Sequence, residues 1–139
     1  MILIRLGLTL RCAAEPRHIW VVLSDPNQTR GDILLVNFTT LRENTFDTSC
    51  ILGPADYSEL AHESVIAFSG SYIGSATKLE KAIQKRYFSI MDPQIPEAAL
   101  EKIIAAARSS TSLPRAKKDL LPTNPPNRGE IHEIINYDE

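Results

Sequence analysis

Apolar residues in the first half of the chain occur in short runs separated by polar turn formers. The two clearest runs cover residues 19–23 and 33–36, and both are rich in β-branched or aromatic side chains. Short apolar runs bounded by Pro, Gly, Asn and Asp are typical of buried strands, and the polar spacer at residues 24–32 is typical of a hairpin loop. Similar runs predict further strands at residues 2–10, 49–52 and 64–68.

After Gly74 the apolar positions recur with a helical period. Three of them fall on one helical face: Leu79, Ile83 and Tyr87. Thr77 and Glu80 have the spacing of a capping box, and Pro93 is expected to end this helix. Pro96 has the position of a first helical residue, where its missing amide costs nothing. The pattern therefore predicts two helices within residues 77–108.

Strands followed by helices predict a mainly β protein with appended helices, of the α+β class, built as a small antiparallel β-barrel or curled sheet. A length of 139 residues suits one domain. We expect that domain to cover residues 1–121, with the barrel at 1–74 and the helices at 75–121. Residues 122–139 are predicted to form an acidic, irregular tail.

The charge distribution is more informative than the net charge of −2. Residues 1–75 carry −3, residues 76–121 carry +4, and residues 122–139 carry −3. A net charge this small gives no global argument for nucleic-acid binding. The basic middle segment suits an anionic partner, although a solvated helical face is the commoner explanation of such a segment.

Cysteine use and hydropathy predict a soluble, cytoplasmic protein. Cys12 and Cys50 are too far apart for a metal motif, and a reduced pair is the default. Arg5 interrupts the opening apolar run, which also lacks the cleavage site of a signal peptide. No apolar run approaches the roughly 20 residues of a membrane span.

Polar side chains lie at the ends of the two hairpin strands. Arg17 and His18 precede the first strand, and Asn37, Thr39 and Thr40 end the second. If the strands pair antiparallel, Arg17, His18, Thr39 and Thr40 lie at one end of the sheet. A cation, an imidazole and hydroxyl groups on rigid strands are suited to handling phosphate. His18 suits general acid–base chemistry, or it is an ordinary strand-end residue bonded to backbone.

Other candidate residues have an ordinary alternative beside the functional one. His62 could approach the same site from its loop, or lie on the surface. Cys50 invites a nucleophile interpretation, but a cysteine within an apolar run is more often a small buried group. Trp20 is expected in the core. Tyr57 and Tyr72 lie near loops, where stacking on a nucleic-acid base is an option.

Two segments resemble the PemK/MazF family of toxin endoribonucleases: Arg-His-Ile-Trp-Val-Val-Leu-Ser-Asp at residues 17–25 and Ile-Leu-Leu-Val-Asn-Phe-Thr-Thr at 33–40. In that family an Arg-Pro pair enters an apolar strand and a second apolar strand ends in Thr. Arg17 matches the arginine, His18 stands where proline is usual, and Thr39 matches the threonine, with Thr40 the alternative if the register slips by one. The resemblance covers roughly residues 5–70, and His62 matches a histidine of some PemK-like proteins.

The chain also departs from this family. The Arg-Gly-Asp that precedes the family's first strand is missing, and the Arg-Gly-Asp at residues 30–32 comes after the arginine strand. Two predicted helices and a long tail replace the single C-terminal helix of the ordinary toxin.

The resemblance implies an SH3-like barrel that cleaves single-stranded RNA without metal or cofactor, leaving a 2′,3′-cyclic phosphate. It gives catalytic roles to three residues: Arg17 supplies positive charge, His18 exchanges protons, and the Thr39 hydroxyl bonds a phosphate oxygen. Thr40, His62 and Asn37 are then expected to bind substrate, with His62 an alternative proton exchanger.

Partners follow from the same resemblance. It implies a protein antitoxin, allows a homodimer, and involves no membrane. The alternatives are a non-catalytic SH3-like module that binds RNA or protein, and a hydrolase that uses Cys50. If the acidic tail lies over the RNA site, its removal is expected to raise RNA affinity.

Overall fold

A computed structural model describes residues 3–123 and shows an antiparallel sheet of seven strands with helices on both faces. The strands are β1 (Thr9–Cys12), β2 (Ile19–Val22), β3 (Asp32–Thr40), β4 (Ile51–Leu52), β5 (Ser64–Ile66), β6 (Tyr72–Ser75) and β7 (Phe88–Ile90). The helices are α1 (Ala76–Gln84), α2 (Glu97–Ser109) and the short α3 (Arg115–Lys118), and a 3-10 turn covers Phe68–Gly70. Among the described residues, no helix is long and apolar enough to cross a membrane.

The long strand β3 is the centre of the sheet. It pairs with β2 on one edge, and on the other edge with β6 along its first half and with β5 along its last three residues. The full strand order is β4-β5-β3-β2-β1-β7, with β6 added on β3. The prediction of a mainly β fold with appended helices is confirmed. The sheet is open rather than closed into a barrel, because the short strands β4 and β7 form its two ends.

Side chains of the sheet fill a core on each face, as the alternation along a strand requires. Leu34 and Val36 belong to a large cluster that includes Leu100 and other residues of α2. The other face has a smaller cluster made with residues of α1. Helix α2 contributes five buried residues and α1 only two. The α1 face of the sheet is therefore the less completely covered one.

The predicted hairpin of β2 and β3 is confirmed, and Ser24 fixes its closed end. The buried Ser24 hydroxyl accepts a hydrogen bond from the Leu34 amide at 2.9 Å and donates to the Asp32 carbonyl at 3.3 Å. Arg30 and Gly31 complete the loop in the left-handed region, with φ of 56° and 93°. Loop chemistry thus fixes the register in which β2 faces β3.

Helix α1 begins and ends at residues other than the predicted ones. Its N-cap is Ser75 rather than Thr77, and the Ser75 hydroxyl accepts from the Lys78 amide at 3.1 Å. Arg86 adopts a φ of 66°, and the Tyr87 amide then donates to the carbonyl of Ala82, five residues back. This is a Schellman motif with arginine at the position that usually holds glycine. The expectation that Tyr87 lies on the helix is therefore wrong, and β7 follows directly.

The N-terminal strand is also shorter than predicted. Gly7 has a φ of 86°, and the Leu8 amide donates to the Arg5 carbonyl in a turn, so β1 begins only at Thr9. Ile4, Leu6 and Leu8 are buried without forming a strand. The pattern also did not predict β6, β7 or α3. The predicted acidic tail lies outside the described residues, except for its first two.

Candidate functional site

The strand register brings the start of β2 beside the end of β3. Trp20 is paired with Asn37 across the two strands. Trp20–Asn37 is the last pair of this ladder, and His18 directly precedes β2. Continued two residues past that pair, the same register sets His18 opposite Thr39, and the Cβ atoms of opposed residues are typically about 4.5–5.5 Å apart. The Cys12 amide donates to the His18 carbonyl at 3.0 Å, which holds this backbone against β1. By this extension of the register, His18 and Thr39 are neighbours at this end of the sheet.

These two residues share the sheet face that carries α1. Trp20 packs against the smaller core cluster on that face, and side chains two residues apart on a strand point the same way. By the same alternation Thr40 belongs to the opposite face, where its partner across the strands is Ser64. The sequence alone did not decide whether Thr39 or Thr40 lies beside His18. The register favours Thr39.

Arg17 lies at the same end of the sheet, with its side chain exposed. Its φ is 57°, in the left-handed region. Its amide donates to the Ala14 carbonyl at 2.8 Å, and its own carbonyl accepts from the Arg11 guanidinium at 3.3 Å. These contacts fix the backbone immediately before His18 and leave the Arg17 side chain exposed.

Asn37 and His62 occupy less direct positions. Asn37 is buried, its side-chain amide donates to the Phe38 carbonyl at 3.3 Å, and its carbonyl accepts from the Ala67 amide. Its known contacts are therefore within the fold, and substrate binding by Asn37 stays a prediction.

His62 is exposed in the loop before β5, and its carbonyl accepts from the Ser64 hydroxyl at 3.0 Å. Strands β5 and β2 flank β3 on opposite edges, a separation of about 10 Å at the usual strand spacing. His62 thus lies at the same end of the sheet as Thr40 but beyond β3 from His18.

The structure contradicts the interpretation of Cys50 as a nucleophile. Only 5% of Cys50 is exposed. Burial raises the pKa of the Cys50 thiol to about 11, and the nearby carboxylates of Asp56 and Asp47 act in the same direction. A thiol nucleophile reacts as the thiolate, which this environment disfavours at neutral pH. Cys50 is a small buried group of the core, as its apolar neighbours in the sequence suggest.

A cleft of about 470 Å³ opens on the α1 face of the sheet, next to the row of His18 and Thr39. Three aromatic side chains line it, namely Trp20, Tyr72 and Phe88, together with Lys78 and apolar residues of β3 and α1. Tyr72 is 58% exposed, and a Cβ on Gly74 would come within 3.0 Å of its ring. Glycine at this position therefore makes room for the Tyr72 ring in the cleft. The cleft exists because the short helix α1 covers only part of this face.

Sequence reasoning missed part of this surface. Trp20 was expected in the core, yet it is half-buried and lines the cleft. Phe88 could not be assigned because β7 was not predicted, and Lys78 had no recognisable signal. Tyr57 is not available for stacking, since it is buried and its hydroxyl donates to the Pro93 carbonyl at 2.6 Å.

Within residues 3–123, no group of three or more His, Cys, Asp or Glu side chains has an arrangement suited to a metal ion.

Comparison of the chain with protein-family models, with curated proteins and with solved structures finds no match.

Proposed function

We propose that this protein is a metal-independent endoribonuclease that cleaves single-stranded RNA, and that it is the toxin of a toxin–antitoxin pair acting in the cytoplasm. The observation that carries the proposal is the register of β2 and β3, which, continued past the Trp20–Asn37 pair, sets His18 opposite Thr39, with the exposed Arg17 directly before His18. Attack of the RNA 2′-hydroxyl on the adjacent phosphate requires a proton acceptor and stabilisation of negative charge, and an imidazole, a hydroxyl and a guanidinium can supply these. A protein antitoxin and a homodimer belong to the same proposal.

Each of the three residues has a defined role in this reaction. His18, as neutral imidazole, accepts the proton of an RNA 2′-hydroxyl, whose oxygen attacks the adjacent phosphorus. The bond from phosphorus to the 5′-oxygen breaks, the leaving oxygen takes up a proton from water, and a 2′,3′-cyclic phosphate remains. Arg17 stabilises the negative charge of the crowded intermediate, and the Thr39 hydroxyl donates to a phosphate oxygen. The nucleophile comes from the substrate, so no metal-bound water is needed.

Cleavage without added metal is the direct test. A single-stranded RNA incubated with the purified protein in EDTA is expected to yield fragments that end in 2′,3′-cyclic phosphate, identified by mass spectrometry. Replacing His18 by alanine should lower the cleavage rate by about 10²–10⁴-fold, the usual contribution of a general base. A His18→Ala variant that cleaves at the unchanged rate removes this residue from the chemistry.

Two arginines of the same hairpin provide a matched control. Arg17 and Arg30 are both exposed and both have a φ near 57°, but they lie at opposite ends of the hairpin. Arg17→Ala should reduce cleavage about 10²–10³-fold, as expected for an electrostatic contact to the transition state. Arg30→Ala should leave the rate unchanged. Both variants should unfold within about 0.5 kcal/mol of the parent protein, because both side chains lie at the surface.

The threonines test the register itself. Thr39→Val keeps the branched shape of the side chain and removes its hydroxyl, so it should slow cleavage. Thr40→Val makes the same change on the opposite face, where Ser64 is the partner across the strands, and should have the smaller effect. The reverse order would mean that the reacting phosphate does not lie on the α1 face.

A non-catalytic binding module is the second candidate, favoured by the aromatic cleft, which suits ligand binding without chemistry. This function predicts RNA binding without any cleavage product in the assay described above.

A further inference from the structure

We propose that the cleft beside α1 is a base-binding subsite, in which an unpaired RNA base next to the reacting phosphate stacks on Tyr72 and Trp20. This inference rests on the proposed function, because it takes RNA as the ligand. The resemblance to PemK/MazF proteins gives this surface no role, because Tyr72 and Phe88 lie outside the segment that carries the resemblance.

The cleft lies at a suitable distance from the proposed chemistry. Trp20 of β2 lines the cleft, and His18 directly precedes β2 and is held against β1 through its carbonyl, so the alternation of the strand continued to His18 puts both side chains on one face. Two residues of a strand span roughly 6.6 Å. That step is comparable with one nucleotide of an extended single strand. A phosphate beside His18 and Thr39 would therefore bring its neighbouring base to the cleft.

The lining of the cleft suits a flat aromatic ligand. Tyr72 is 58% exposed although it is a large aromatic residue, and Trp20 and Phe88 are half-buried. Bases stack on exposed aromatic side chains of this kind in proteins that bind single strands. A volume of about 470 Å³ also falls in the range usual for sites that bind small organic ligands.

The charge on α1 complements the backbone of such a ligand. Lys78 lines the cleft, and Lys81 and Lys85 follow it at spacings of three and seven residues, which places all three on one side of the helix. All three are exposed. Residues 76–121 carry +4 whereas residues 1–75 carry −3, so the positive charge of the described chain is concentrated in the segment that begins with α1. A single-stranded RNA can thus place a base in the cleft and its phosphates along α1.

Two serine hydroxyls at the cleft already accept hydrogen bonds from within the protein. Lys117 donates to the Ser71 hydroxyl at 3.0 Å and to the Ser71 carbonyl at 2.6 Å. The Ser75 hydroxyl accepts from the Lys78 amide. Because aromatic side chains dominate the lining, we expect stacking to contribute more than hydrogen bonds to base edges, and stacking discriminates weakly between bases. Oligonucleotides of uniform adenine, uracil or cytosine should bind with affinities within about tenfold of one another.

The test uses an RNA analogue that cannot be cleaved. A short, fluorescein-labelled oligonucleotide with 2′-O-methyl groups lacks the nucleophilic hydroxyl and reports binding by its anisotropy. Trp20 is the only tryptophan of the chain, so a base in the cleft should also quench the intrinsic fluorescence of the protein. Tyr72→Ala is expected to weaken binding about 5- to 150-fold, the range for loss of one stacking partner.

A second tyrosine supplies the control. Tyr87 is 62% exposed, as accessible as Tyr72, but it does not line the cleft. Tyr87→Ala should bind the oligonucleotide like the parent protein. Ala82→Phe, which fills the cleft from α1, should block binding and provides a second variant if Tyr72→Ala does not fold. Thermal unfolding of each variant establishes that it is folded.

Several results would overturn the inference. Equal affinities for Tyr72→Ala, Ala82→Phe and the parent protein would exclude the cleft, as would saturable binding without a change in Trp20 fluorescence. The protein could instead fail to bind the oligonucleotide and self-associate in a concentration-dependent way that Ala82→Phe abolishes. That result would assign the cleft to a second copy of the chain. Cleavage of unmodified RNA is measured in parallel. If the protein binds the oligonucleotide through Tyr72 but does not cleave RNA, the proposed endoribonuclease activity is refuted and the subsite is not. If it cleaves RNA but Tyr72→Ala binds the oligonucleotide as tightly as the parent protein, only the subsite is refuted.

Discussion

Gln94 joins the end of the sheet to the segment before α2, and its replacement by alanine should destabilise the whole domain. Its side-chain oxygen accepts from the Thr9 amide at 2.8 Å, and its nitrogen donates to the carbonyls of Thr9 and Met91 at 2.9 and 2.7 Å. Thr9 is completely buried, so water cannot replace these bonds. The glutamine amide in effect extends the pairing of β1 beyond the last residue of β7.

The expected magnitude follows from which groups lose their partners. In Gln94→Ala the Thr9 carbonyl still accepts from the Met91 amide at 3.0 Å, but the Thr9 amide loses its acceptor. A buried amide without an acceptor costs about 1–3 kcal/mol. For a domain of this size, 1 kcal/mol corresponds to a shift in Tm of about 3 °C, so we expect a fall of about 3–9 °C.

Thermal unfolding followed by circular dichroism measures this change, with Gln84→Ala as the control. Gln84 is an exposed residue at the end of α1, where alanine is well tolerated, and its replacement should alter the free energy of unfolding by less than about 0.5 kcal/mol. Hydrogen exchange of the Thr9 amide should accelerate in Gln94→Ala and stay unchanged in Gln84→Ala. Equal Tm values for the two variants, with the Thr9 amide still protected, would refute the role assigned to Gln94.

Three further predictions concern local features. Ser75→Ala removes the N-cap of α1 and should lower the free energy of unfolding by about 1 kcal/mol in urea titrations, whereas Ser75→Asp should retain most of it. Arg86 has a backbone conformation in the left-handed region, which glycine adopts without strain, so Arg86→Gly should raise the free energy of unfolding by about 0.5–1 kcal/mol. A decrease would mean that the Arg86 side chain is itself stabilising. Iodoacetamide at neutral pH should label the half-buried Cys12 well before the buried Cys50. Labelling of Cys50 should rise only as the pH approaches the pKa of its thiol, about 11, and early labelling of Cys50 would contradict its burial.

The local sequence was sufficient for the hairpin that carries the candidate site. Apolar runs at residues 19–23 and 33–36, with turn formers between them, predicted β2 and β3, and the structure confirms both. Antiparallel pairing then required the start of one strand to lie beside the end of the other. The gathering of His18, Thr39 and Thr40 at one end of the sheet followed from this pairing alone. Such inferences succeed because alternation and turn chemistry depend on residues close together in the chain.

Element ends were less predictable, because they depend on single backbone conformations. Gly7 and Arg86 both adopt a positive φ. The turn at Gly7 interrupts the apolar run of residues 2–10, and the turn at Arg86 ends a helix that the apolar pattern would otherwise continue. Glycine gives a warning of such a turn, but arginine gives none. For this reason β7 was hidden inside a predicted helix, and Phe88 with it.

Only the tertiary structure decided which face of the sheet bears the site and what lies next to it. The choice between Thr39 and Thr40 depends on a register shared by β2, β3 and β5, and one residue of slip would reverse it. The cleft exists because α1 is too short to cover its face while α2 covers the other. Trp20 and Tyr72, 52 positions apart in the sequence, meet in that cleft through contacts between distant segments. Local patterning specifies strands and helices, whereas a surface of this kind arises only when those elements pack.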